Sequence, residues 1–105
     1  MALPIRIEIK RVRGNNYPCR FGIARNLSAT DRTTLLTNAV VTLTVNATAM
    51  IGTITSIPLG LVLFTVPSGV HGLAAGSYSL SLRMVDGQGY TRDLAIGKWI
   101  QQEPA

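Results

Sequence analysis

The side chains able to do acid–base or nucleophilic chemistry are few and scattered. The carboxylates are Glu8, Asp31, Asp86, Asp93 and Glu103, the single histidine is His71 and the single thiol is Cys19. Paired acid–base work needs two carboxylates facing one another at a fixed separation. No two of these share a strand face at such a spacing. His71 lies in Ser68-Gly69-Val70-His71-Gly72 with no Cys, Asp or Glu close in sequence, and a lone loop histidine is expected to be solvated. One histidine and one cysteine do not furnish a zinc site, and a single cysteine excludes an internal disulfide. The phosphate-cradling patterns GxGxxG and GxxxxGKS/T do not occur. The expectation is a non-enzymatic chain with no catalytic residues, no cofactor-binding residues and no metal ligands.

The charge is the next signal. A net charge of +5 comes mainly from the first third, which holds Arg6, Lys10, Arg11, Arg13, Arg20, Arg25 and Arg32. Arg6, Lys10, Arg11 and Arg13 could form a basic patch for phosphate or another anion. They carry no interleaved aromatic side chains of the kind on which bases stack, so nucleic acid is not the expected partner. A solvated strand face whose charges discourage edge-to-edge pairing is the plainer reading. An acidic protein surface is the alternative.

Charged residues make up 14% of the chain, against about 25% in an average soluble domain. The deficit is local. From Arg32 to Arg83 no Asp, Glu, Lys or Arg intervenes, only His71. Thr, Ser, Asn and Gly must then cover the outside of half the molecule, which suits burial in an assembly or an extracellular setting better than free diffusion. Arg6, Glu8 and Lys10 interrupt the apolar start, so no secretory leader is expected there. No apolar run approaches the roughly 20 residues that span a bilayer, and no membrane association is expected. The triplets Asn26-Leu27-Ser28 and Asn46-Ala47-Thr48 match a glycosylation acceptor, and without a leader both are read as chance.

Seven strands would carry these residues. Ile5, Ile7 and Ile9 alternate with Arg6, Glu8 and Lys10, the two-residue period of a half-buried strand. Gly14-Asn15-Asn16 is turn chemistry, and Tyr17 to Ile23 forms a second strand. Cys19 shares the parity of Tyr17, Phe21 and Ile23, which places it in the core as a small residue. The segment from Asn26 to Asn38 is a polar connection with a short turn of helix near Thr30 to Leu35. Val40–Val45, Ile51–Ile57 and Leu61–Val66 follow as strands. A hairpin closes the chain: Tyr78, Leu80, Leu82 and Met84 alternate with serines and Arg83, and the loop Gly87-Gln88-Gly89 leads into Tyr90, Leu94 and Ile96. A three-residue loop ending in a positive-φ glycine sets Leu82 opposite Leu94, Leu80 opposite Ile96 and Arg83 opposite Asp93. Ile7, Phe21, Leu43, Leu80, Leu82 and Leu94 are the expected core. Together these features predict an all-β fold, a seven-stranded antiparallel immunoglobulin-like β-sandwich forming one domain over residues 1–105.

The strand from Leu61 to Val66 is apolar on both faces. Two readings stand: a central strand covered on both sides, or an interface formed by Leu61, Val62, Leu63 and Phe64. The uncharged surroundings favour the interface.

The second half of the chain also resembles a known family. Pro67, then Leu73-Ala74-Ala75-Gly76-Ser77-Tyr78, a strand, Asp86-Gly87-Gln88-Gly89 and a last strand through Gly97-Lys98-Trp99 resemble the immunoglobulin-like domain of tailed-phage structural proteins, such as the N-terminal domain of baseplate upper proteins. The resemblance implies a virion component without catalytic activity. Baseplate upper proteins continue into further domains, and a stand-alone copy is more similar to a capsid decoration or accessory protein. Its expected partners are virion proteins, coat or tail subunits, with a homo-oligomer or larger assembly as the working form. The alternatives are a tail or baseplate structural protein, and a binding module that recognises glycan or protein at a cell surface. That last role needs aromatic residues displayed in loops, for which Tyr17, Tyr90 and Trp99 are the candidates.

Overall fold

The computed structural model describes residues 5–24 and 27–104; Arg25 and Asn26, the acceptor of the first glycosylation triplet, lie outside them. Eight strands and two short helices form among the described residues: β1 (Ile5–Val12), β2 (Cys19–Gly22), α1 (Ala29–Leu36), β3 (Val40–Val45), β4 (Thr48–Ile51), β5 (Thr53–Ser56), β6 (Leu61–Phe64), α2 (Ser68–His71), β7 (Gly76–Val85) and β8 (Thr91–Gln102). They build one sheet in the order β1-β8-β7-β3-β4 and a second in the order β2-β6-β5. The fold is all-β.

The eighth strand arises where one was expected. The segment Ile51–Ile57 divides at Gly52, so that β4 pairs with β3 and β5 pairs with β6 in the other sheet. The crossing brings backbone against the core: a Cβ on Gly52 would sit 2.5 Å from Val62 Cγ1 and 2.8 Å from the Phe64 ring. Only glycine lets the chain change sheets so close to those side chains.

Nor is the pairing wholly antiparallel. β1 runs parallel to β8, from Ile5 opposite Ala95 to Val12 opposite Gln102. The turn after β1 does not fold it back on β2, which belongs to the other sheet, so β1 completes the free edge of β8 instead. Gly97 permits that approach, since a Cβ there would meet the Ile7 carbonyl oxygen at 1.7 Å.

The closing hairpin has the expected loop. Gly89 has φ +89°, and the Asp86 amide donates to the Tyr90 carbonyl at 2.8 Å. Arg83 stands opposite Asp93, with Nε 2.8 Å from Oδ1. Beyond that pair a bulge at Leu94 shifts the register, setting Leu82 opposite Ala95 and Leu80 opposite Gly97. A bulge inserts one residue and reverses facing thereafter. Ile96 accordingly points outward beside Ser81, and Trp99 points inward beside Tyr78.

The core between the sheets is built on Trp99, Phe64, Leu43, Met84, Val41, Val45 and Val62, all fully buried. Leu43, Leu80 and Leu82 belong to it as expected, whereas Ile7, Phe21 and Leu94 are only partly buried at its margin. Phe21 meets Phe64 edge to face, ring centres 5.6 Å apart. Helix α1 lies in the predicted polar connection: Ser28 caps it by accepting from the Asp31 amide, Asp31 sits favourably in its first turn, and Leu36 anchors it. Its Leu35 carbonyl accepts from the Gly87 amide, tying the helix to the hairpin loop.

Candidate interaction surfaces

The residues read as a basic patch are not brought together. Along β1, Arg6, Glu8 and Lys10 share the outer face, and Lys10 Nζ lies 3.7 Å from the Glu8 carboxylate between the two cations. Arg13 leaves the strand and pairs with Glu103 at 3.3 Å. Arg11 has turned the other way. Its guanidinium stands 5.7 Å from the Trp99 ring centre and donates to the Tyr17 carbonyl at 2.8 Å and to Cys19 Sγ at 3.2 Å. It seals one end of the gap between the two sheets. Its parity in sequence, odd like Ile5, Ile7 and Ile9, was the available sign that it faces inward. Cys19 beneath it is buried, and that burial pushes its thiol pKa up while the Arg11 charge opposes the shift.

The four residues read as an interface also separate. Val62 and Phe64 are core residues, 1% and 0% exposed, and cannot present themselves to a partner. Leu61 and Leu63 face outward, half-buried, on the central strand of the three-stranded sheet. Leu63 is flanked there by Arg20 and Thr53, and Leu61 by Gly22 and Ser56.

Away from β1, the outer face of the five-stranded sheet over β4, β3 and β7 is a larger surface poor in charge, and the register lays it out in rows. One row runs Ala49, Thr44, Ser81, Ile96, and a second runs Ile51, Thr42, Arg83, Asp93. Val40 and Val85 stand side by side beyond them. Ile51 is 73% exposed, Val40 47% and Val85 40%. Across β4, β3 and β7 the only charge in these rows is Arg83, paired with Asp93 of β8, while the first row runs on from Ile96 to Arg6 of β1. No single strand reveals this face, because each contributes only two or three small or apolar residues to it; the pairing assembles it.

The aromatic candidates diverge. Trp99 is fully buried, with its indole N–H donated to Gln101 Oε1 at 2.9 Å. Tyr17 and Tyr90 are 75% and 65% exposed, but Tyr17 follows β1, whose end lies against Gln102, while Tyr90 precedes the start of β8. They sit at opposite ends of the sandwich and cannot share one ligand.

Asp86 and the backbone carbonyl of His71 have structural partners. Asp86 is buried and accepts from the Gln88 and Tyr90 amides at 2.9 and 3.0 Å and from Arg92 Nε at 2.7 Å. The Arg92 hydrogen bond, reinforced by the two amides, holds its carboxyl below the usual carboxylate range. The His71 carbonyl accepts from the Gly14 amide and from Gln101 Nε2, both at 2.8 Å or less. Among the described residues no group of three or more His, Cys, Asp or Glu side chains is placed to hold a metal ion. No helix among them is long and apolar enough to cross a membrane.

No protein-family model matches the chain, and no curated protein matches it. A solved structure of an internalin-like protein from Listeria monocytogenes superposes with a TM-score of 0.49 at 12% sequence identity. That match covers 96% of this chain and 28% of the other, so this chain spans little more than a quarter of it. A likeness of that degree carries no functional argument.

Proposed function

We propose that this chain is a non-enzymatic, immunoglobulin-like structural module that works by docking onto neighbouring subunits of a larger assembly. A phage particle, with the chain as a capsid decoration or accessory protein, is the setting the family resemblance favours. The charge-poor outer face of β4, β3 and β7 carries the reading. Thr, Ser, Ala, Val and Ile can be desolvated without leaving a buried charge in need of a partner, and Ile51, Val40 and Val85 gain by leaving water.

The immunoglobulin-like part has its own support. The order β2-β6-β5 corresponds to the B-E-D strands of that fold, and β8-β7-β3-β4 to G-F-C-C′. Tyr78 opens the strand equivalent to F, and its hydroxyl donates to the Ala74 carbonyl at 2.7 Å, the arrangement of a tyrosine corner. Light scattering on the purified chain, followed by mass spectrometry of the particle it co-purifies with, tests the proposal. A concentration-independent monomer that binds no virion protein but gives a specific hit in a glycan screen would replace it with the cell-surface binding module.

A further inference from the structure

The gap between the two sheets has two long sides, and they end differently. On one side the chain closes it by crossing from β4 to β5 through Gly52. On the other side β1 and β2 face each other as the terminal strands of their sheets. Arg11 plugs that seam only at the Tyr17–Cys19 end. At the far end it opens into a cavity of about 420 Å³ whose walls include Ile5 and Ile7 of β1, Phe21 and Ile23, and Leu82 and Leu94 of the hairpin. Ile5 at its lip is 68% exposed.

Two further observations bear on what fills it. First, the outer edge of β1 is an unpaired ladder among the described residues. The Arg13 amide donates to the Gln102 carbonyl, and amide direction alternates along a strand. The amides of Arg6, Glu8, Lys10 and Val12 therefore point away from β8, towards the seam. Second, the mouth of the cavity offers hydrogen-bond donors, although its charges are paired: Arg92 with Asp86 and Arg83 with Asp93. Arg92 lines it, gives Nε to Asp86, and has no described partner for its two terminal nitrogens. The one acid at the mouth, Asp93, is neutralised by Arg83.

We propose that this seam accepts an extended segment of a partner protein, which adds as a strand to the free edge of β1, lowers alternate apolar side chains into the cavity and sets an acidic residue against Arg92. Strand addition draws its affinity from backbone hydrogen bonds and its specificity from pockets for alternate side chains, and both are present here. The acidic end follows from the free guanidinium hydrogens of Arg92 and the net charge of +5. This acceptor seam is separate from the charge-poor face of β4, β3 and β7 and does not depend on it.

The test uses the full chain and a fluorescent peptide that alternates valine with threonine and ends in two glutamates. Its anisotropy should rise with wild-type protein. Glu8→Pro removes an outward amide without removing a bond to β8, and proline is tolerated at such edge positions. Glu8→Pro and, separately, Ile5→Asp should each weaken binding by about ten-fold or more, with circular dichroism unchanged. Ile51→Lys should leave peptide binding untouched, so that failure of the docking face and failure of the seam are distinguishable. No binding by the folded wild type, or equal binding by Glu8→Pro, would overturn the proposal. So would saturation of the cavity by a fatty acid together with indifference to the peptide, which would make it a small-molecule site.

Discussion

The hydroxyl of Tyr78 donates to the carbonyl of Ala74 at 2.7 Å, four residues back along the chain. This one bond fixes how the connection after α2 enters β7, where Gly76 at φ +153° lies against the tyrosine ring. Tyr78→Phe keeps the ring and removes the bond, so it should cost about 0.5–1.5 kcal/mol, the usual net worth of such a hydrogen bond. Urea denaturation with an unchanged m-value measures it; an unaltered midpoint would show the corner to be incidental.

Gly97 is the residue that admits β1. With the Ile7 carbonyl oxygen 1.7 Å from where its Cβ would stand, Gly97→Val must push β1 off β8. Hydrogen exchange should then show β1 amides that face β8, those of Ile7, Ile9 and Arg11, losing protection while β3 and β7 keep theirs.

Asp86 should make the fold more stable at neutral than at acid pH. Its carboxyl is held below the ordinary value by Arg92 and the two loop amides, so the native state binds a proton less readily than the unfolded chain. That stability is complete above about pH 5 and is lost as pH falls below about 4 through the native pKa. Asp86→Asn should be less stable at pH 7 and should show a flatter loss between neutral and acid pH. A thermal midpoint that falls with acid equally in both proteins would contradict this.

The turn from β3 to β4 is held by Asn46 and Ala47, at φ +47° and +70°. Two positive φ values define the tight turn that suits Asn-Gly, and alanine is strained there. Ala47→Gly should stabilise the protein by roughly 1 kcal/mol, readable as a raised midpoint in the same urea titration.

Period-two alternation made most of the strands legible, and the loop glycine with the Arg83–Asp93 pair made the hairpin legible as far as Asp93. What failed is instructive in physical terms. The bulge at Leu94 leaves no mark in a pattern of Leu, Ala and Ile that is apolar in either register, so the inward turn of Trp99 could not be foreseen. Val62 and Leu63 are equally apolar, and only the second sheet decides which is core. The parallel pairing of β1 rests on Gly97, which sequence alone presents as one glycine among ten. The surfaces proposed to dock are products of strand order, a property no single segment contains.

The face of β4, β3 and β7 is proposed to dock onto a neighbouring subunit, and the first neighbour open to test is a second copy. Sedimentation velocity of the wild-type chain and of Ile51→Lys, over a wide range of concentration, addresses it most directly. The wild type should associate as concentration rises, through a contact burying at least about 1,000 Å². Ile51→Lys should remain folded and monomeric throughout, because Ile51 is 73% exposed and supports nothing inside. A wild-type chain that sediments as a monomer at every concentration, indistinguishable from the variant, and that binds no virion protein would contradict the account.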